Sequence, residues 1–203
     1  MPLTLRAFAA RGGRQPGDRE PAPTHLRLVQ EFVNSFCDLD RGQQEQWATP
    51  AALERWLTER ELLAPDAAVG QADLDRALDV RDGLRALLFA NNGAPVDNDA
   101  LDRLNHALKV PGLYVQLASS VPPDFAAQRR DLDAVLAMVA TTVAVAQLNG
   151  SWDRLKACRG EHCGWTFYDY SRNQGSNWCA MSVCGSRAKA RAYRRRKGRS
   201  EPS

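Results

Sequence analysis

From Leu26 the apolar residues Leu26, Val29, Phe32, Val33 and Phe36 recur every three or four positions, the spacing that gives a helix one buried face. A second helical stretch starts at Thr49-Pro50, a capping residue followed by proline in the first turn. It carries Leu53, Trp56, Leu57 and Leu62, with Trp47 packing at its entry. A third runs from about Gln71 to Phe89 through Leu74, Leu78, Leu84, Leu87 and Leu88. Arg81 interrupts its stripe. Asp79 and Asp82 suit it by charge, but close neighbours on a helix do not face one another, so its partner is not fixed by spacing; a ligand site around it is the other reading. Asn91 to Val96 reads as a turn, and a short helix over Asp99 to Ala107 carries Leu101 and Leu104, with Leu108 just beyond. Pro111-Gly112 breaks the chain, and Leu113 to Leu117 is a strand expected to pair with Ala107 to Val110 as a small hairpin. Asp124 to Leu148 then reads as one long helix, whose alanines and valines suit the centre of a bundle.

Ahead of these elements, the glycines and prolines between Gly12 and Pro23 predict a flexible leader over residues 1–24. Its single Arg-Gly-Gly at Arg11–Gly13 is too short for an RNA-binding tract. The expected organisation is leader 1–24, a helical domain over 25–150, a C-terminal module over 151–197 and a flexible tail over 198–203.

A chain of 203 residues, 44% of them hydrophobic, can bury a sizeable core. Its longest apolar stretch, Ala134 to Leu148, is about fifteen residues, which suits a buried helix better than a bilayer span, so no membrane partner is expected. The net charge of +3 hides an asymmetry: residues 150–203 hold twelve Lys or Arg against four Asp or Glu, while residues 1–149 hold fifteen against twenty. The C-terminal part is the one that attracts phosphates.

That part also contains two C-x4-C pairs, Cys158/Cys163 and Cys179/Cys184, fifteen residues apart. Two short-range pairs supply the four thiolates of a closed tetrahedral zinc site, and the span between them has room for a hairpin. Disulfides or a redox or iron–sulfur role are the alternatives. Disulfides are disfavoured because Met1 to Ala10 lacks the apolar core of a signal peptide, and the reading is a cytoplasmic protein with Zn2+ as its cofactor. His162, next to Cys163, is a substitute ligand that four cysteines make unnecessary. Cys37 reads as a lone buried thiol. Four thiolates and one zinc ion contribute −2, which leaves the C-terminal part at about +6.

The C-terminal motifs run Cys158-Arg159-Gly160-Glu161-His162-Cys163, then Trp165-Thr166-Phe167-Tyr168-Asp169 and Ser171-Arg172-Asn173, then Trp178-Cys179-Ala180-Met181 and Cys184-Gly185-Ser186-Arg187-Ala188-Lys189. They resemble the CGNR zinc-finger family, whose finger follows an N-terminal helical domain called ABATE. A looser likeness to that domain rests on Phe32-Val33-Asn34-Ser35 and on the order of helices. The resemblance implies a transcription regulator. The chain departs from the family signature at Ser186, where asparagine is expected; serine keeps a hydroxyl for a local backbone bond but lacks the paired donor and acceptor of an amide.

Read on their own, Trp165, Phe167, Tyr168 and Trp178 form an apolar shell for a module too small to have much core, and Gly164 and Gly185 each follow a cysteine where a turn calls for glycine. Asn173 and Gly175 fit the intervening turn. Ser186 to Lys197 is a helix with Arg187, Arg191, Arg194 and Arg195 on one broad side and Lys189 and Arg196 near its margins, a surface for double-stranded DNA. The expected fold is mainly α: an N-terminal helical bundle with a small β-hairpin, and a treble-clef-like or ribbon-like zinc finger ending in a basic helix. The expected function is a DNA-binding transcription regulator without catalysis, acting with a small-molecule or protein effector and as a homodimer where two readers are needed. A zinc-stabilised protein-interaction module is the alternative. His25, His106 and His162 are scattered, and no phosphate loop or H-E-x-x-H run is present, so an enzyme is the least supported class.

Overall fold

A computed structural model describes residues 3–4, 15–37, 44–109, 113–116 and 124–198. The expected tail beyond residue 198, the Pro111-Gly112 break and the Arg-Gly-Gly segment lie outside the described residues. The first strand, β1, is Leu3–Thr4. Residues 15–23 of the expected leader are folded instead, with a 3-10 turn at Pro16–Asp18.

Helix α1 spans Thr24–Val33 and buries Leu26, Val29, Phe32 and Val33 as its spacing demands. It stops before Phe36, which the periodicity had included. Ser35 Oγ donates to Phe32 O at 2.7 Å, and Arg85 reaches in to donate to Val33 O and Phe36 O at 2.5 and 2.7 Å. These bonds satisfy carbonyls that a continuing helix would have used. Phe36–Cys37 (β2) then pairs antiparallel with Gln44–Glu45 (β3), and Cys37 is buried.

Helix α2, Pro50–Glu59, begins as expected: Thr49 caps it by accepting from Ala52 N at 3.2 Å, and Pro50 occupies the first turn. Trp47 is buried against its first turns, edge-on to Phe32 and Trp56 at 4.7 and 5.1 Å between ring centroids. Helices α3, Gln71–Asn91, and α4, Asn98–Ala107, cross closely, because a Cβ at Gly83 would stand 2.5 Å from Leu104 Cβ. Arg81 finds neither of its sequence neighbours as main partner. It forks onto Glu45 of β3 at 2.7 and 2.8 Å, stacks over Phe36 and Trp47, and keeps Asp82 only at 3.7 Å.

Strand β4, Tyr114–Gln116, pairs with β5, Asp124–Ala127, in a sheet ordered β1-β5-β4. Two expectations fail here. Ala107, offered as a hairpin partner, ends α4, while Val110 lies outside the described residues. Residues 124–127 are extended rather than helical, following Pro122-Pro123 in sequence, and helix α5 begins only at Leu132, where Asp131 accepts from Ala134 N at 3.0 Å. From there α5 runs to Leu148 at the centre of the core, packed on α1, α3 and β5. No described helix is long and apolar enough to cross a membrane.

A 3-10 turn at Trp152–Arg154 leads into β6, Leu155–Ala157, antiparallel to β7, Thr166–Tyr168. This hairpin belongs to the main core through Leu155, Ala157 and Tyr168. Side-chain amides of Asn34, Asn91 and Asn92 hold it to the helices. Asn91 Nδ2 donates to Trp152 O and Leu155 O, both at 2.9 Å, and Asn92 Nδ2 to Ala157 O at 2.8 Å. Asn34 pairs with the backbone of Thr166 in both directions, at 2.9 and 2.7 Å. A side-chain amide offers one donor end and one acceptor end, so it can grip a peptide group as a neighbouring strand would.

Candidate metal centre and basic helix

The β6–β7 connection carries the first cysteine pair. Cys158 N donates to Trp165 O at 2.9 Å, closing the hairpin, and Gly160 N points at Cys158 Sγ from 3.3 Å. A Cβ at Gly160 would lie 2.9 Å from Cys184 Sγ and 3.1 Å from Cys163 Cβ, so only glycine lets the two pairs meet there. His162 and Gly164 bring the chain round with φ of 57° and 62°. The second pair sits where a π turn, Met181–Gly185, opens into helix α6, Ser186–Gly198. Gly185 has no left-handed backbone, contrary to expectation. A Cβ there would stand 2.3 Å from Met181 Sδ, so the exposed Met181 side chain would have to swing away to admit one. Ser186 Oγ donates to Met181 O at 2.9 Å, the local backbone bond expected of a hydroxyl at this position.

The four Sγ atoms lie within 4.8 Å of one another and all four cysteines are buried. Sγ of Cys179 is 3.7 Å from those of both Cys163 and Cys184. Four ligands about 2.3 Å from a central zinc stand about 3.8 Å apart at tetrahedral corners, so the donor set fits that ion. The same separations are far beyond the about 2.05 Å of a disulfide. The Cys158 thiol is pushed well down, first by its hydrogen bond with Cys163 and then by Cys179. Cys163 and Cys179 are pushed up, first by their bonds with Cys158, and burial pushes Cys184 up. A divalent ion bound by the four sulfurs draws off their thiol protons. His162 is exposed near Glu161 and stands outside the cluster.

Phe167, Trp165, Trp178 and Val183 cover the cysteines. Tyr168, expected in that shell, faces the main core because it is the strand neighbour of Phe167 and points to the other side. The loop to the second pair is organised by Asp169, a residue that its sequence context gave no role. It is 0% exposed and accepts from Lys156 Nζ at 3.0 Å, Ser171 Oγ at 2.6 Å, Ser171 N at 3.0 Å and Ser176 N at 2.9 Å. Burial pushes its carboxyl up, but the Ser171 and Lys156 bonds outweigh that and hold it well below the usual carboxylate range. Asn173 Oδ1 accepts from Gly175 N at 3.3 Å, and the left-handed residue of this turn is Gln174.

Residues 26–150 match the family model ABATE, described as "Putative stress-induced transcription regulator", and residues 154–197 match the CGNR zinc finger. The chain belongs to the ABATE family, with a CGNR zinc finger attached. These are modules of a transcription-regulator family and not a catalytic fold. No curated protein matches the chain. In this ABATE protein the Asn34 segment of the first module grips Thr166 of the second, so the two matched stretches are in direct contact.

Helix α6 of the ABATE chain packs chiefly on the cysteine turn from which it grows. Arg187, Lys189, Arg194, Arg195 and Arg196 are exposed, as is Tyr193 at 63%. Arg191 is half-buried and pairs with Glu161 Oε2 of the first cysteine turn at 3.4 Å. At about 100° per residue, Arg187, Arg191, Arg194 and Arg195 share one side, whereas Lys189 and Arg196 fall roughly opposite rather than at its margins.

Proposed function

We propose that the protein is a zinc-dependent transcription regulator that binds double-stranded DNA through α6, in the cytoplasm. Cys158, Cys163, Cys179 and Cys184 hold one Zn2+, whose contribution is structural: it fixes the turn from which the helix projects. Arg187, Arg191, Arg194 and Arg195 meet the DNA, mainly at phosphates, while Lys189 and Arg196 on the other side of the helix add to its positive field. Residues 25–150 form the unit that receives a small-molecule or protein effector, and residues 151–197 form the reader. A homodimer would set two readers on one duplex, which a single short helix needs for sequence selection.

The observation that carries this reading is the exposed basic helix rooted in the cysteine turn. Its thirteen residues extend about 20 Å, and its width suits a major groove about 12 Å across. Titration of a labelled duplex at two salt concentrations tests it. Four phosphate contacts give a slope of log affinity against log salt of about −4, and each arginine replaced lowers the size of that slope by about one. A salt-independent interaction, or partner capture that survives nuclease treatment without any duplex binding, favours a protein-docking role instead.

A further inference from the structure

The segment before α1 lies outside both family-matched ranges, 26–150 and 154–197, yet it touches both halves of the cysteine cluster. We propose that residues 15–22 are a strap that completes the metal centre, with Arg19 as the positioning residue of the second cysteine pair.

Arg19 donates from three guanidinium nitrogens to three backbone carbonyls: Nε to Cys179 O at 2.8 Å, Nη1 to Tyr168 O at 3.0 Å and Nη2 to Trp178 O at 3.2 Å. Its guanidinium carbon sits 4.6 Å above the centroid of Phe167, the ring packed on the cysteines. The planar fork of arginine can bridge these carbonyls, which converge from β7 and from the approach to the second pair; the point charge of lysine cannot. It also places a fixed cation on the backbone of a ligand in a cluster that carries −2 when zinc is bound.

The rest of the strap reaches the first pair and the helical domain. Gln15 Oε1 accepts from Trp165 Nε1 at 3.0 Å, two residues after Cys163, and from Gln30 Nε2 at 3.2 Å. Gln30, buried on α1, accepts from Ala22 N at 2.8 Å and donates to Thr166 O at 3.2 Å. Tyr170 Oη donates to Pro21 O at 2.8 Å. Gly17 has φ of 65°, and a Cβ there would lie 2.7 Å from Ala180 Cβ, so the strap lies directly on the residue after Cys179. Outer contacts of this kind fix the orientation of ligands, and their loss typically costs about 10- to 100-fold in metal affinity.

The inference rests on the metal reading and not on DNA binding, and the zinc content of the unmodified full chain checks that reading by itself. Zinc transfer from the loaded full chain to an excess of chromogenic chelator is then compared with Arg19→Ala. The expected result is release faster by on the order of tenfold, with the melting temperature of the zinc-free chain unchanged. Release within twofold of the unmodified chain overturns the assignment, and so does an equal loss of stability in the zinc-free chain, which would make Arg19 a general stabiliser. Should Arg19→Ala fail to fold, hydrogen exchange of the unmodified chain decides. Chelation must then raise exchange in peptides covering residues 15–22 and 176–185 together, ahead of Thr24–Val33, and a strap indifferent to chelation overturns the proposal.

Discussion

Arg81 and Glu45 show how one residue fixes a local fold. The guanidinium is buried and the carboxylate half-exposed, and together they pin the β2–β3 hairpin to α3. Burial pushes the Glu45 carboxyl up, but the hydrogen bonds from Arg81 and from the Trp47 backbone, together with the charges of Arg81 and Arg85, outweigh it and leave the group below its ordinary range. The folded state therefore holds this proton less tightly than the unfolded chain. The stabilisation is full above the unfolded value of about 4.3 and fades as pH falls through the lower folded value. Glu45→Gln strands a buried cation and is expected to cost about 2 to 3 kcal/mol at neutral pH, below the about 3 to 5 kcal/mol of a fully buried pair because Glu45 keeps contact with water. Denaturant melts at stepped pH check this: the gap between the two proteins should close below about pH 4. The interruption of the apolar stripe at Arg81 was visible in the sequence. Its partner was not, because Glu45 is distant along the chain and the hairpin that brings it near has no strong periodic signal. Gly160 was hidden for the same reason, since its need for no side chain comes from Cys184 on the other pair.

At the scale of elements, local chemistry was legible and non-local pairing was not. Thr49 and Pro50 announced the start of α2 because cap and helix are neighbours in sequence. Strands β4 and β5 are short, and their pairing depends on contacts across the intervening chain, so apolar spacing extended α5 backwards through Asp124 to Ala127. Helix α6 was also read correctly, but none of its residues 186–197 is buried, so tertiary packing adds little to its stability. Arg187, Arg191 and Arg195 follow one another at four-residue steps, and each such like-charge pair disfavours the helix by roughly 0.2 to 0.5 kcal/mol. Phosphates remove that repulsion. Circular dichroism of the zinc-loaded chain should therefore gain helical signal when duplex DNA is added at low salt and lose that gain at high salt. A helix content that does not respond to DNA would mean that α6 is already fully formed and makes no use of phosphate neutralisation.

Across the whole molecule, the C-terminal module has its own small cluster around the cysteines but shares the main core with the helices. Leu155, Ala157 and Tyr168 of the C-terminal module pack into the helical core, and Asn34, Asn91 and Asn92 bind its backbone. Composition and spacing divided the chain cleanly at about residue 150, because cysteines and basic residues change there. The shared core left no trace in that division. Chelation is expected to free the cysteine turns and α6 first and also to lower the melting temperature of the whole chain, because the β6–β7 hairpin links the metal centre to the helices. Differential scanning calorimetry with and without chelator checks this, and an unchanged main transition would mean that the hairpin does not transmit the loss.

Whether a metal-held turn presents a basic helix to DNA is tested most directly by one fluorescence anisotropy titration of a labelled duplex. It is run with the zinc-loaded chain, the chelated chain and the chain reloaded with zinc. The predicted result is binding that weakens steeply as salt rises, falls away when zinc is removed and returns with reloading. Equal binding with and without zinc, or none from the zinc-loaded chain even at low salt, would contradict it.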